Sequence, residues 1–251
     1  MRILPVLDLQ DGFVVRGVAG RRKEYRPIAS LLCDDPSAAS VARGLRNAFG
    51  FDSCYLADLD AIAGHAPNIR LYDEAAAAGL ELWIDSGAGS VESCLLPTRY
   101  FAERQAVGRV ILGLELLPSV ETLTEAFQAG LNPLEAVFSL DLLEGRPLSK
   151  VDAWAGLGPL EIAEQVLGLG VPSLIVLDMA GVGVGQGVPT LQLCRELRHR
   201  YPYLEIISGG GVRDVDDLFA LEDAGCDAAL VASALHDGRI TREHLENFAH
   251  Q

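Results

Sequence analysis

The sequence predicts an α/β protein, a single (β/α)8 TIM barrel formed by residues 1–251 as one domain. Eight short runs rich in Val, Ile and Leu recur along the 251 residues, most of them separated by segments of helical periodicity, and 49% of all residues are hydrophobic. Apolar strands that alternate with helices form parallel sheets covered on both faces. Eight such units fit a closed barrel better than an open doubly wound sheet.

The predicted strands and helices follow one another in barrel order. The strands occupy residues 3–9, 54–59, 80–84, 109–112, 136–140, 173–177, 204–207 and 228–231. Asp35-Pro36 is expected to open the first helix and Gly50 to follow it. Pro189 is expected to open another helix, which ends near Tyr201-Pro202. Proline favours the first turn of a helix, and glycine favours the position after the last turn.

The two halves of the chain resemble each other, which predicts two similar half-barrels at about 1–132 and 133–251. The matching segments are Asp8 with Asp141, Asp58 with Asp178, Ser86-Gly-Ala-Gly89 with Ser208-Gly-Gly-Gly211, and Gly113 with Ala232-Ser233. A repeat of roughly 120 to 130 residues within one barrel indicates two four-strand halves that close on each other. The active site is therefore expected to have approximate two-fold symmetry.

The composition narrows the possible partners. With 20 Lys and Arg against 35 Asp and Glu, the formal charge of -15 repels phosphate backbones and anionic lipids, so neither nucleic acid nor a membrane is expected as a partner. No apolar run reaches the length of a membrane span, and we expect a cytoplasmic protein. The five cysteines and five histidines show no zinc-type spacing, which predicts reduced thiols and no tightly bound metal.

Five aspartates close apolar strand runs and are the first candidates for chemistry. They are Asp8, Asp58, Asp85, Asp141 and Asp178. Reacting groups in a (β/α)8 barrel come from the C-terminal ends of the strands. Any one of these aspartates can instead cap a helix or accept hydrogen bonds from the following loop. For Asp8 and Asp141, which the repeat relates, we favour a general base and a general acid acting across a small substrate.

Glycine-rich loops after the strands predict phosphate binding. The predicted phosphate site comprises Ser208, Gly209, Gly210 and Gly211 together with Ala232 and Ser233. Backbone N–H groups in such loops can face an anion, and barrels commonly hold phosphate after strands seven and eight. Gly87, Gly89 and Gly113 form the related site of the first half, which has a weaker pattern because Leu114 offers no hydroxyl. The alternative is that these glycines only make tight turns.

The densest basic run of the acidic chain lies in the loop after the first strand. It reads Gly20-Arg-Arg-Lys-Glu-Tyr-Arg26. Such a loop can close over a phosphate at the barrel mouth and exclude water. The alternative is a solvated run of charges, and both interpretations stay open.

Several motifs resemble those of the HisA/HisF family of histidine-biosynthesis barrels, in its isomerase (HisA)-like branch. The likeness covers nearly the whole chain and consists of residues 3–16, Ala57-Asp-Leu-Asp-Ala61, Ser139-Leu-Asp-Leu-Leu-Glu-Gly145, Leu177-Asp178, Ser208-Gly-Gly-Gly-Val212 and Ala234-Leu-His-Asp-Gly-Arg-Ile240. Four segments depart from the isomerase pattern. Leu177-Asp-Met stands where the isomerases have Thr-Asp-Ile, and Gly181-Val-Gly-Val184 where they have Arg-Asp-Gly-Thr. In the phosphate site of the first half, Ser86-Gly-Ala-Gly-Ser90 replaces a Gly-Gly-Gly-Ile-Arg form, and Gly113-Leu114 replaces Gly-Thr.

The resemblance implies an Amadori-type rearrangement of a phosphorylated aminoaldose to an aminoketose. It assigns Asp8 as the base that removes the C2 proton and Asp141 as the acid that protonates the ring oxygen. Arg16, Asp58 and Asp178 are implied as substrate-binding residues. Trp154 is implied as the aromatic residue that stacks on the substrate.

The resemblance further implies a small phosphorylated substrate and no cofactor. The cyclase branch of the family uses a glutaminase partner that delivers ammonia through the lower face of the barrel. The first strand contributes Pro5, and no charged gate is evident, so no glutaminase partner is expected. Two alternatives remain open: a divergent barrel that acts on another phosphometabolite outside histidine biosynthesis, and a barrel that binds a phosphorylated ligand without catalysis.

Overall fold

The computed structural model describes residues 1–149 and 151–249, which form the predicted closed (β/α)8 barrel. The eight parallel strands are β1 (Arg2–Gln10), β2 (Ser53–Asp58), β3 (Glu81–Asp85), β4 (Gly108–Gly113), β5 (Ala136–Leu143), β6 (Ser173–Asp178), β7 (Glu205–Gly209) and β8 (Ala228–Val231). Each strand pairs with the next along the chain, and β8 pairs with β1, where Ile3 lies opposite Ala229. The sheet therefore has no open edge within the ring.

In the described part of the chain, eight helices of eight or more residues surround the strands: α1 (Ala38–Phe49), α2 (Ile69–Ala76), α3 (Leu96–Arg104), α4 (Val120–Gln128), α5 (Pro159–Leu167), α6 (Leu191–Arg200), α7 (Val215–Asp223) and α8 (Arg242–Ala249). Three helices of four residues each, Leu59–Ile62, Val91–Cys94 and Ser233–His236, lie in loops that follow strands. The predicted end of α1 is confirmed, because Gly50 follows it with a φ of 76°. The helix begins at Ala38 and not at Asp35-Pro36, because the Ser37 side chain caps it by accepting a hydrogen bond from the Ser40 N–H. Within residues 1–149 and 151–249, every helix is too short or too polar to cross a bilayer.

Two hydrophobic layers stabilise the barrel. Side chains between the strands and the helices form the outer layer, for example Leu45 of α1 against the sheet. Alternate residues of the strands point inward and fill the barrel, as expected from the period of two along a strand. Trp83, Ile111, Val137 and Ile207 belong to this inner layer. The inner layer forms a solid base beneath the C-terminal ends of the strands.

Matching hairpins follow β1 and β5. Asp11 and Gly12 have φ values of 52° and 85° and lead into the short strand Phe13–Arg16, which pairs with β1 in antiparallel orientation. Glu144 and Gly145 have φ values of 52° and 75°, and the following strand Arg146–Pro147 pairs with β5. Two successive positive φ angles are typical of the tight hairpin turns that match strand twist. The division into half-barrels at 132/133 stays a prediction.

The lower face of the barrel carries a charged cluster that no sequence motif indicated. Glu205 at the start of β7 accepts hydrogen bonds from Arg2 at 2.8 Å and from Arg109. Both guanidinium groups stack on the Trp83 ring, at 4.8 and 4.4 Å from its centroid. The expectation of no charged group at this face is wrong, because strand register brings together residues that are far apart in the sequence. That no glutaminase partner binds here stays a prediction.

Candidate active site

A cavity of about 410 Å³ opens at the C-terminal ends of the strands. Its wall includes Asp8, Asp85 and Asp141, and two further loops reach it from the opposite half: the glycine-rich loop after β7 and the loop after β8 that contains Ala232 and Ser233. The volume falls within the range of small-molecule sites. Barrel enzymes place their reacting groups at this end.

Asp8 and Asp141 face this cavity from β1 and β5, which lie on opposite sides of the ring. Asp141 accepts hydrogen bonds from the Ser139 hydroxyl at 2.7 Å and from the Glu115 N–H at 3.4 Å. Among the described residues, no side chain or backbone N–H donates to the Asp8 carboxylate. A methyl group placed on Gly17 would lie 3.2 Å from Asp8 Oδ2, so the loop after β1 covers this carboxylate closely.

Burial makes both of these carboxyl groups weaker acids. It raises the pKa of Asp8 to about 7, against the attraction of Arg22 and with a further contribution from the Asp85 charge. It raises the pKa of Asp141 to about 7 as well, although the hydrogen bond from Ser139 opposes the rise. Desolvation disfavours the ionised form of a carboxyl group. Near neutral pH each group therefore populates both protonation states, as a general acid and a general base require.

Asp85 is a third carboxylate at this site, and no specific role was predicted for it. Burial raises its pKa to about 6, while hydrogen bonds from the Gly87 N–H and the Tyr55 hydroxyl lower it. The Tyr55 hydroxyl donates to Asp85 Oδ2 at 3.0 Å, deep between β2 and β3. The only signal for Asp85 in the sequence is its position at the end of an apolar run, which it shares with four other aspartates.

These carboxyl groups make a pH-dependent contribution to stability. A pKa of about 7 for Asp8 in the folded protein lies above the value of about 4 in an unfolded chain. The contribution is therefore fully present below pH 4 and is lost as the pH rises through 7. We expect Asp8→Asn to raise the free energy of unfolding by about 1 to 3 kcal/mol at pH 8 and hardly at all at pH 4.5. Thermal denaturation at both pH values measures the difference.

The exposed Asp223→Asn variant is the matched control for that measurement, since it removes a carboxylate at the end of α7 and outside the cavity. We expect this variant to change the free energy of unfolding by the same small amount at both pH values. An equal change for Asp8→Asn at pH 4.5 and pH 8 would contradict a buried, destabilising carboxylate.

The predicted phosphate residues of the second half divide into two groups. Gly210, Gly211, Ala232 and Ser233 line the cavity. Ser208 and Gly209 do not, because they belong to β7. The Ser208 hydroxyl donates to the Val176 carbonyl at 2.7 Å, and a methyl group on Gly209 would lie 2.4 Å from the Leu230 carbonyl oxygen. Only a glycine fits at position 209, where β7 and β8 pack closely.

The related residues of the first half are placed differently. Gly87 and Gly113 line the cavity, whereas Gly89 lies outside it on the exposed surface. The Gly87 N–H donates to Asp85 Oδ1 at 3.1 Å and so points at a carboxylate of the protein itself. A methyl group placed on Gly113 would lie 3.2 Å from Asp141 Oδ2.

Asp58 and Asp178 are buried and do not line the cavity. Asp58 accepts hydrogen bonds from the Ala61 N–H at 3.0 Å and from the Tyr72 hydroxyl at 2.7 Å. Asp178 accepts hydrogen bonds from the backbone N–H groups of Glu144 and Gly145, at 3.1 and 2.7 Å. Both carboxylates therefore hold the loops around the site in place.

Arg16 and Trp154, the other two residues expected to bind substrate, also make contacts within the protein. Arg16 lines the cavity and forms a two-pronged ion pair with Asp237, with distances of 3.1 and 2.6 Å. Trp154 is 3% exposed, and its indole N–H donates to the Leu117 carbonyl at 2.8 Å. Its ring packs in the outer hydrophobic layer and not on the cavity.

The basic loop after β1 lies over the mouth of the cavity. Arg22 extends to Glu115, the second residue beyond β4, with a distance of 2.9 Å. The Ala19 N–H donates to the Val182 carbonyl of the loop after β6 at 2.7 Å. The contacts of Arg22 favour a closing loop over a solvated run of charges. In residues 1–149 and 151–249, no group of three or more His, Cys, Asp or Glu side chains is arranged to hold a metal ion.

Comparison with known proteins places this architecture in a family. The family model described as histidine biosynthesis protein matches residues 2–241. The uncharacterised protein MJ0703 of Methanocaldococcus jannaschii is 28% identical over 98% of this chain and 98% of its own. Relatives from Geobacter sulfurreducens and Syntrophomonas wolfei are 29% and 30% identical over 96% of this chain, and over 94% and 95% of their own.

The Geobacter and Syntrophomonas relatives are named as isomerases of an imidazole-4-carboxamide that carries two phosphoribosyl groups. The family model covers nearly all of this chain, and it covers all eight barrel strands and the carboxylates at their ends. This chain belongs to the histidine-biosynthesis protein family of (β/α)8 barrels.

Proposed function

We propose that this protein is a HisA-like isomerase, which converts a phosphorylated aminosugar or phosphoribosyl compound from aldose to ketose by general acid–base catalysis. The observation that carries this proposal is the position of Asp8 and Asp141 on opposite sides of one cavity beside the glycine loops after β7 and β8. The names of the full-length relatives support the isomerase class. We also propose that the protein acts in the cytoplasm.

Asp141 is the acid in this proposal. It donates a proton to the ring oxygen, the C1–O bond breaks, and the nitrogen lone pair forms a C1=N iminium. The rise of its pKa to about 7 keeps a proton available near neutral pH. The hydrogen bond from Ser139 at 2.7 Å orients the carboxyl group for this transfer.

Asp8 is the base. It removes the C2 proton, the C2–H electron pair forms a C1=C2 bond, and the iminium electrons return to nitrogen. Asp8 then returns the proton to C1, and the C2 hydroxyl becomes a carbonyl group by losing its proton, which replaces the one that Asp141 gave to the ring oxygen. These steps yield the aminoketose and restore both carboxyl groups. The reaction is a net isomerisation that consumes no other reactant, so the proposal includes no cofactor. Each proton transfer of this kind contributes about 10² to 10⁴ in rate.

The loops after β7 and β8 are proposed to hold the phosphate of the substrate. Gly210, Gly211, Ala232 and Ser233 bring backbone N–H groups and one hydroxyl to the cavity wall. Arg16 is proposed to support this phosphate site indirectly, through its ion pair with Asp237. Asp58 and Asp178 position the surrounding loops. Stacking of Trp154 on a substrate would require its ring to leave the contact with Leu117.

A second candidate substrate is favoured by the loop after β6. Leu177, Met179, Val182 and Val184 present an apolar surface to the cavity. An apolar side chain cannot replace the hydrogen bond of a hydroxyl or carboxylate, and the substrate group it faces then lacks a partner. Such a wall fits a phosphometabolite other than the imidazolecarboxamide of the named relatives.

Turnover of the imidazolecarboxamide that the relatives act on tests the proposal directly, together with growth of a histidine auxotroph that lacks the isomerase. Conversion of this compound that depends on Asp8 and Asp141 would support an isomerase that shares the substrate of the named relatives. Tight binding of phosphorylated sugars without conversion of this compound would favour the second candidate. Ligand binding that no Asp8→Asn change affects, with no turnover of any bound compound, would indicate a binding protein and contradict the proposal.

A further inference from the structure

We propose that Asp85 and Glu115 restrict this site to substrates with a single phosphate, held after β7 and β8, whose other end is neutral or cationic. We rest this inference on the proposed function, because it concerns the substrate of the same cavity. It starts from a difference between the two halves of the barrel, whose equivalent loops use their backbone N–H groups in different ways.

In the second half, backbone donors of residues that line the cavity have no partner among the described residues. The N–H groups of Gly211, Val212 and Ser233 donate to no carbonyl or side chain in the part of the chain that the structure describes. All three residues line the cavity. Ile207 precedes the glycine loop and packs in the inner hydrophobic layer, so it brings no charge to this end. An anion can bind here through several donors at once.

In the first half, the equivalent donors are already satisfied. Leu114 and Glu115 follow Gly113 as Ser233 and Ala234 follow Ala232. The Leu114 N–H donates to the Ser139 carbonyl at 3.0 Å, and the Glu115 N–H donates to Asp141 Oδ2. The Gly87 N–H is likewise used by Asp85. A phosphate at this end would have to displace hydrogen bonds that the protein makes to itself.

The charges at this end also oppose a phosphate. Asp85 stands where the second half has Ile207, and Glu115 stands where it has Ala234; both carboxylates line the cavity. A methyl group on Gly113 would lie 3.2 Å from Asp141 Oδ2 and 3.8 Å from Asp85 Oδ2, so two carboxylate oxygens flank the position where the first-half anion would approach. Like charges this close in a buried site repel strongly.

Arg22 does not convert this end into an anion site. It already pairs with Glu115 at 2.9 Å, and its positive charge lowers the pKa values of Asp8 and Asp85. This guanidinium is therefore already engaged by carboxyl groups of the protein itself. Hydroxyl or amino groups, which donate hydrogen bonds, match this end of the cavity, whereas a phosphate dianion does not. The expectation of a second phosphate site at Gly87, Gly89 and Gly113 is thereby revised.

The number of phosphate ions bound per chain tests the inference. We expect crystals at saturating inorganic phosphate to show one ion, at Gly211 and Ser233. Ser233→Asp places a negative charge at this position, and we expect it to weaken phosphate binding at least tenfold in calorimetry. Ser90→Asp is the matched control in the first half, because aspartate keeps the helix cap that Ser90 provides. We expect it to change the affinity less than twofold.

A matched pair of sugars tests the selectivity. We expect ribulose 5-phosphate to bind at least tenfold more tightly than ribulose 1,5-bisphosphate, and the double variant Asp85→Asn/Glu115→Gln to narrow this ratio to about threefold or less. Two bound phosphate ions, or equal binding of both sugars by the unaltered protein, overturns this inference but leaves the proposed isomerase intact. The absence of any bound phosphate overturns the phosphate anchor of the proposed function as well.

Discussion

Asp8→Asn is expected to lower kcat/KM by about 10² to 10⁴ for the compound that the protein isomerises, with little change in binding. An amide cannot remove the C2 proton, although it fills nearly the same space beside Gly17. The unaltered protein should also show a characteristic dependence of activity on pH. Because the pKa values of Asp8 and Asp141 both lie at about 7, activity should be greatest near neutral pH and fall on both sides.

The two limbs of this profile separate the two roles. The acidic limb reports the protonation of the base, and the alkaline limb the ionisation of the acid, although the pair titrates jointly. Asp141→Asn should therefore abolish the alkaline limb and leave residual activity that rises with pH. Unchanged activity in both variants, or a flat profile in the unaltered protein, would rule out this assignment. Asp85→Asn is the informative comparison, since it removes a neighbouring charge without removing either proposed catalytic group.

Trp83→Ala is expected to destabilise the protein by about 3 to 5 kcal/mol, the largest effect on stability that we predict. The indole is 1% exposed and fills the barrel beneath the site. Its removal leaves a cavity and takes away the ring on which Arg2 and Arg109 stack. Urea denaturation at pH 7 measures the change in the free energy of unfolding. The midpoint temperature of thermal unfolding should fall by roughly 10 °C.

Trp83→Phe is the control for this experiment. Phenylalanine keeps an aromatic face for the two guanidinium groups and leaves a smaller void, so we expect a loss of about 1 to 2 kcal/mol. A cost below 1 kcal/mol for Trp83→Ala would show that the inner layer repacks around the gap. In that case the tryptophan would not form a solid floor between the active site and the charged cluster of the lower face.

The sequence predicted the barrel closely because its elements have local causes. Apolar runs define the strands, and the signals around α1 act within a few residues of the helix ends. The strand limits differ where the prediction depended on the last apolar residue: β5 runs to Leu143 and not to residue 140, which is the largest difference. β3 ends at Asp85 and not at residue 84, because Ala57 of β2 pairs with the aspartate. That pairing is a tertiary contact, and it points the carboxylate toward the site.

Within the candidate site, too, local sequence signals predicted some features and tertiary contacts decided others. The sequence identified five strand-end aspartates and favoured Asp8 and Asp141 among them, but it could not tell which of the other three face the cavity. Asp58 and Asp178 are followed by helical turns whose N–H groups capture their carboxylates. The Asp85 carboxylate also holds a loop N–H, yet it reaches the cavity wall beside Tyr55. The path of the backbone after each strand decides between these outcomes, and residue type does not.

By itself, the sequence determined the fold class, the repeat, the opposed placement of Asp8 and Asp141 and the glycine loops, because periodicity and chain order specify them. Only the tertiary structure decided that Asp85 joins the site, that the first-half N–H groups are already used, and that Arg2, Arg109 and Glu205 meet at the lower face. The physical reason is that burial, hydrogen-bond partners and pKa values depend on strands that are distant in the chain and adjacent in the ring.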